Sequence, residues 1–152
     1  AKASEVVVVL LPPEYTKSTL EGISSSFTNQ IVISPVVPMK FGKVVSYDPP
    51  ESGSAAIDIQ NVLPDSAKVV SAYHNIPAKG LANFEKPLDY DVVICGDDDE
   101  AKAIVSKLTE EMPSLKAIDA GPLEISSMIE AITPLIINMN KKHKHEFSIK
   151  FI

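Results

Sequence analysis

An open α/β fold with a mostly parallel, doubly wound, Rossmann-like sheet and flanking helices is predicted by three features of this 152-residue chain. Continuous β-branched runs recur along it, segments of helical periodicity alternate with them, and prolines or glycines stand just past the ends of the runs. Runs that are apolar at every position read as strands buried on both faces, which helices must cover. Parallel strands put their C-terminal ends on one edge, and ligands of such sheets sit outside that edge.

The first run, Val6 to Leu11, is followed by Pro12-Pro13. The second, Ile31-Val32-Ile33, runs into Ser34-Pro35-Val36-Val37-Pro38, and the third, beginning at Val69, ends in Ser-Ala-Tyr-His-Asn-Ile-Pro-Ala. Val92 to Cys95 and Ala117 to Ala120 are closed by Gly96-Asp97 and Gly121-Pro122. With all five parallel, these stiff loops are expected to converge on one apolar crevice that suits a flat, uncharged ring. Between the runs, Tyr15–Ser25, Ser54–Leu63 and Asp98–Met112 carry apolar residues at three- and four-residue spacing, and Pro64 and Pro113 stop the latter two. Leu123 to about Asn140 is apolar on more than one side and reads as a core helix buried nearly all round, kinked at Pro134. Phe147–Ile152 alternates, as an edge strand or a docking tail does.

His74 is the single histidine outside the C-terminal segment, and it stands at a strand end where a side chain leaves the core. A histidine there either bonds its own loop or faces a ligand. Asp97-Asp98-Asp99-Glu100 has the form of a metal cluster, but acids opening a helix are better read as a cap, and no metal site is expected. Lys141-Lys142-His143-Lys144-His145 reads as a solvated helix end, the alternative being a contact for a phosphate or an acidic tail.

Composition narrows the function classes. With 45% hydrophobic residues the chain can bury one core, and a net charge of −6 argues against a nucleic-acid surface. The single cysteine, Cys95, suits a reducing cytoplasm, and no apolar run approaches the roughly 20 residues that span a bilayer. The six glycines are scattered and form no G-x-G-x-x-G turn. Ala1–Glu5 reads like the end of a helix feeding the first strand. The N-terminal βαβ unit of a doubly wound domain, whose glycine-rich turn holds a dinucleotide pyrophosphate, is therefore expected to be missing, and the isolated chain to bind a dinucleotide weakly or not at all.

Val-Val-Val-Val-Leu-Leu-Pro-Pro-Glu, Ile-Val-Ile-Ser-Pro-Val-Val-Pro, Val-Val-Ser-Ala-Tyr-His-Asn-Ile-Pro-Ala, Cys-Gly-Asp-Asp-Asp-Glu, Leu-Lys-Ala-Ile-Asp-Ala-Gly-Pro-Leu and Leu-Ile-Ile-Asn-Met-Asn follow one another in this order. As a set they resemble the coenzyme F420-dependent NADP reductases of archaea and some bacteria, across essentially the whole chain. The resemblance implies reversible hydride transfer between NADP(H) and the 5-deazaflavin coenzyme F420. It implies that Leu11, Pro12, Tyr15 and Val37 line NADP, that Ala78 offers a backbone donor beside Pro77, and that His74 and Ile76 meet the reacting rings. Pro35 and Pro38 would shape the same wall. Where the family often has an aromatic residue and a histidine after the first proline, this chain has Pro13 and Tyr15.

On this reading residues 1–66 belong to the NADP-binding part and 67–152 to the deazaflavin-binding part, and the apolar C-terminal region pairs two copies into a homodimer. The alternatives are a non-catalytic ligand-binding or dimerisation module and another Rossmann reductase of a small imine or keto acid. A catalytic lysine in the crevice would favour the latter.

Overall fold

The computed structural model describes residues 3–82 and 87–152. In chain order the elements are β1 (Val6–Val8), α1 (Pro13–Ile23), β2 (Ile31–Ser34), β3 (Met39–Lys40), β4 (Ser46–Tyr47), α2 (Ala55–Val62), β5 (Lys68–Ser71), α3 (Ala78–Leu81), β6 (Tyr90–Gly96), α4 (Asp99–Glu110), β7 (Leu115–Asp119), α5 (Ser126–Glu130) and α6 (Ile132–His143). Short 3-10 turns at Ser24–Ser26 and Leu123–Ile125 follow α1 and precede α5.

The main sheet has the order β1-β2-β5-β6-β7, and β3 and β4 form a separate antiparallel hairpin. Successive strand residues point to opposite faces, so the sheet separates two cores. On one face Val32 and Val69 pack with Leu20 of α1 and with Ala56 and Ile59 of α2. On the other, Ile33, Val70, Val92 and Ile94 pack with Ala101 and Val105 of α4. Local chemistry sets the helix starts. Pro13 opens α1 where its missing N–H costs nothing. The Ser54 hydroxyl accepts from Ile57 N at 3.1 Å, and the Asp98 carboxylate from Ala101 N at 2.8 Å. The acidic run is a helix cap, and among the described residues no cluster of metal-ligating side chains occurs.

Three expectations are corrected: the direction of β6 and β7, the place of the loops that follow them, and the long core helix. The sheet is parallel at β1–β2, β2–β5 and β6–β7, but β5 and β6 are antiparallel. A parallel return needs a crossover long enough to pack a helix on the sheet. The segment after β5 is instead spent on a tight turn and the four-residue α3, so β6 starts at the edge where β5 ends. The loops at Gly96-Asp97 and Gly121-Pro122 therefore lie at the opposite edge and take no part in the crevice. Gly96 is needed where β6 crosses β5, because a Cβ there would stand 3.1 Å from the Val69 carbonyl oxygen.

The segment from Leu123 to Asn140 is not one helix buried all round. It breaks at Ala131, three residues before Pro134, whose ring crowds the carbonyl of Glu130 and removes the hydrogen bond that would bridge the two turns. Met128 is 70% exposed and Leu135 58%. The C-terminal segment is a docked tail without a ladder of its own: Asp91 N donates to Ile149 O at 3.0 Å and Phe151 N to the Asp91 carboxylate at 2.6 Å. At the other end, Ala3 lies in a turn and Glu5 in a bend, and Ala1 and Lys2 lie outside the described residues.

Candidate functional site

The C-terminal ends of β1, β2 and β5 meet at one edge, and the loops that follow them wall a cleft of about 310 Å³. Leu11 comes from the first loop, Pro35 and Val37 from the second, and Tyr73, His74 and Ile76 from the third. Five of the residues singled out from sequence are thus brought together: Leu11, Pro35, Val37, His74 and Ile76. Pro38 faces a larger neighbouring cavity of about 680 Å³ between α1, α2 and the hairpin, and Pro77 faces a smaller one of about 130 Å³ beneath α6. Pro12, Tyr15 and Ala78 line none of the three, and Tyr15 is 60% exposed.

The third loop is built by an unusual backbone. Tyr73 has φ +69°, the left-handed region that a bulky L residue enters at a cost of about 1–2 kcal/mol. This turns the chain out of β5, and Ile76 N closes the turn onto Tyr73 O at 3.3 Å. The Tyr73 hydroxyl is anchored to Thr109 Oγ1 at 2.8 Å, and Thr133 Oγ1 donates to His74 O at 2.7 Å. On the far side, Asn75 Nδ2 donates to Asp91 O at 2.7 Å, and Ser148 Oγ donates to Asn75 O at 2.8 Å. The loop is held from four sides while the His74 ring is left free.

That freedom is specific to the ring. His74 is only 6% exposed, yet among the described residues neither of its nitrogens has a hydrogen-bond partner. Burial pushes its pKa down to about 4; the Val36 backbone pulls the other way, but that contact falls short of hydrogen-bonding geometry. At neutral pH the imidazole is therefore uncharged, with one nitrogen able to donate and the other to accept. Asn75 Oδ1 and the hydroxyls of Ser34 and Ser71, side by side at the ends of β2 and β5, are buried and unpartnered in the same way. A wall of Leu, Val, Ile and Pro with a few uncommitted polar atoms is what a ring-shaped ligand with edge carbonyls requires.

Sequence reasoning missed Asn75, Thr133 and Met39. Asn75 adjoins the histidine already singled out, and Thr133 precedes Pro134, but neither has a periodicity that reports its role. Met39 belongs to the β3–β4 hairpin, too short to register as strands.

No family model matches the chain. Curated relatives do, among them two named F420-dependent NADP reductase. The chain is 42% identical over 149 residues to the protein of Methanocaldococcus jannaschii and 33% identical over 148 residues to that of Methanothermobacter marburgensis. Each match takes in 95% of this chain and 66% of the relative. The chain is a homologue of the F420-dependent NADP reductases. It spans just under two thirds of the length of these relatives. Among solved structures, one from Arthrobacter sp. fb24, provisionally named as an F420-dependent NADP-reductase, superposes with a TM-score of 0.85 at 22% identity over 99% of this chain and 71% of that one. Plasmodium falciparum pyrroline carboxylate reductase, solved with NADP bound, gives 0.51 at 15% identity over 97% and 51%. These two likenesses establish the α/β fold. No helix among the described residues is long and apolar enough to cross a membrane.

Proposed function

We propose that this chain builds the ring-binding wall of an oxidoreductase that moves a hydride reversibly between NADP(H) and coenzyme F420. The observation that carries the reading is His74, a neutral, buried imidazole with no partner among the described residues, set beside Ile76 in an apolar cleft formed by three strand-end loops. The relatives' name supplies the cofactors.

Both reacting rings come with the cofactors, which supply the hydride donor and the acceptor. The chain's work is to face the rings, fix their separation and keep water out. Residues 1–66 give the NADP side, where Leu11 and Val37 line NADP inside the cleft, Pro12 and Tyr15 meet it from the rim outside the cavities, and Pro35 and Pro38 stiffen the wall. Residues 67–152 give the deazaflavin side. Ile76 sets ring spacing by bulk, and the Ala78 N–H beside Pro77 donates to the dinucleotide. His74 donates a hydrogen bond to a ring carbonyl, a bond that strengthens as negative charge builds on the reduced ring.

The enzyme works as a homodimer in the cytoplasm. The exposed Met128 and Leu135 on α5 and α6 offer an apolar face for a second copy, and the lone, buried Cys95 suits a reducing compartment. Sedimentation at micromolar protein that shows only monomer overturns the dimer. The activity is tested by mixing the full-length protein with NADPH and oxidised F420 and following deazaflavin absorbance in a single turnover. Bleaching of the deazaflavin supports the reading, and NADPH oxidation with a small keto acid or imine but not with F420 overturns it.

A further inference from the structure

Beneath α6 the wall of the cleft has a second side. His74 and Ile76 also border the cavity of about 130 Å³ that runs on from Pro77 to Asn140, Glu146 and Phe147. At its far end the chain makes an ordered turn: Lys144 closes α6 at φ +52°, and Phe147 N donates back to Asn140 Oδ1 at 2.8 Å. The rings of His143 and His145 stand edge-on to Phe147, with centroids 5.7 and 5.3 Å away. The basic run 141–145 is therefore held between Asn140 and Glu146, two residues that border the same cavity as His74, whose ring has no partner among the described residues.

Its charge exceeds what the helix end requires. Cations near a helix C-terminus are stabilised within the last turn only, and the benefit is modest on an exposed surface. Here three lysines and two histidines fall within five residues of a chain whose net charge is −6. Lys40, Lys102 and Lys150 have carboxylate partners. Lys141, Lys142 and Lys144 are exposed, and among the described residues none has an ion pair.

We propose that Lys141, Lys142 and Lys144, with His143 and His145, dock the anionic tail, a phosphodiester or carboxylates, of a ligand whose ring lies against His74. This rests on the deazaflavin reading and names the part of the chain that meets that coenzyme's phosphate and acidic tail. Glu146 shapes the order of groups along the path. A carboxylate beside the passage repels anions, so the stretch under α6 takes an uncharged, hydroxyl-bearing linker, for which Asn140 and the unpartnered Asn75 Oδ1 are suitable partners. The anionic groups emerge only beyond Phe147, among the lysines.

The test titrates the full-length protein with F420, with the same deazaflavin carrying its polyol chain but no phosphate, and with NADPH. It is done for wild type and for the triple variant Lys141→Ser, Lys142→Ser, Lys144→Ser at several salt concentrations. The variant should bind F420 about tenfold more weakly, with a flattened salt dependence, and should bind the tail-free ring and NADPH as wild type does. The triple lysine-to-arginine variant should keep wild-type F420 affinity. Unchanged F420 binding, or an equal loss for the tail-free ring, overturns the proposal, as does a loss confined to NADPH, which would assign the lysines to the dinucleotide's phosphates. If neither deazaflavin binds wild type, the functional reading fails and takes this proposal with it. If the tail-free ring binds and the tail adds nothing, only this proposal fails.

Discussion

Glu130 and His74 lie at the two ends of one short tether, since Thr133, three residues after Glu130, holds the His74 carbonyl. Both are buried, Glu130 with no exposed surface and His74 with 6%. Glu130 is fully engaged: its carboxylate accepts from Ala55 N and Ala56 N at 3.1 Å and from the Tyr47 hydroxyl at 2.7 Å. It thereby ties α5 to the start of α2 and to the β3–β4 hairpin, while Asn138 clamps both backbone groups of Val45 at 3.0 and 2.7 Å. Among the described residues the His74 ring has no hydrogen-bond partner. Leaving a buried polar group unpaired costs about 1–3 kcal/mol, so a fold that satisfies one and leaves the other open uses the first for structure and keeps the second for a ligand.

The largest effect should come from the satisfied group. Glu130→Ala strands two N–H groups and leaves the Tyr47 hydroxyl only its longer contact to Gly53 O at 3.3 Å, and should cost about 3–5 kcal/mol in urea unfolding, with Glu130→Gln intermediate because it keeps one acceptor. A loss under about 1 kcal/mol would mean that the three donors find other partners and that the contrast with His74 is only apparent.

The two groups also pull stability in opposite directions with pH. Burial, the leading cause, lowers the His74 pKa from 6.5 to about 4. Between those values the unfolded chain binds a proton that the folded chain refuses, so this residue's contribution is full above pH 6.5 and falls as pH drops towards 4. At about 1.4 kcal/mol per pH unit the loss is about 3 kcal/mol. Glu130 is raised above 4.5, again chiefly by burial, against its hydrogen bonds from Tyr47, Ala55 and Ala56. The folded state then keeps a proton that the unfolded state has lost, so its contribution declines as pH rises from 4.5 through its folded value. Subtracting the unfolding curve of His74→Gln from that of wild type isolates the histidine, with Glu146 the other carboxyl bordering its cavity. A difference that stays flat from pH 7 to pH 4 would show that the ring takes up its proton as readily in the folded state.

In catalysis the order reverses, and His74 should matter where Glu130 does not touch the rings. His74→Ala in the full-length protein should slow hydride transfer by about 10²-fold with NADPH affinity nearly unchanged. Single-turnover absorbance measures the rate, and urea unfolding of the same sample measures stability. A variant as fast as wild type but as unstable as Glu130→Ala would make His74 a structural residue.

How much of this contrast the sequence carried differs between its two sides. The crevice residues were legible because their environment is local: a β-branched run, a proline and a histidine within ten positions announce a strand end with a side chain leaving it. Glu130 was not, since it sits in an apolar stretch and its three donors come from 47, 55 and 56, so nothing within a helical window marks it. The antiparallel turn into β6 was hidden for a similar reason. A buried run such as Val92–Cys95 looks the same in either direction, and only its pairing with β5, Val70 opposite Gly96 and Ser71 opposite Cys95, decides it. Pro134 did signal a disruption, but the break falls at Ala131 because proline's clash acts on the carbonyl four residues upstream.

The smallest expected effect separates bulk from polarity within the crevice itself. Ile76 borders the cleft and the cavity under α6, as His74 does, but its side chain has no titratable proton and no hydrogen-bonding atom. If its task is to hold two rings at reacting distance, trimming it should loosen the spacing in proportion to the volume removed. Ile76→Val should slow hydride transfer by about two- to fivefold, Ile76→Ala by more, and the ratio to wild type should stay constant from pH 6 to pH 8. The valine variant should lose about 0.5–1.5 kcal/mol of stability, as one buried methylene does. An Ile76→Val rate equal to wild type beside an Ile76→Ala rate also equal to wild type would show that the rings do not rest on this side chain. The third loop would then offer the rings only Tyr73 and His74, and ring spacing would have to be set from Leu11 and Val37 on the opposite wall.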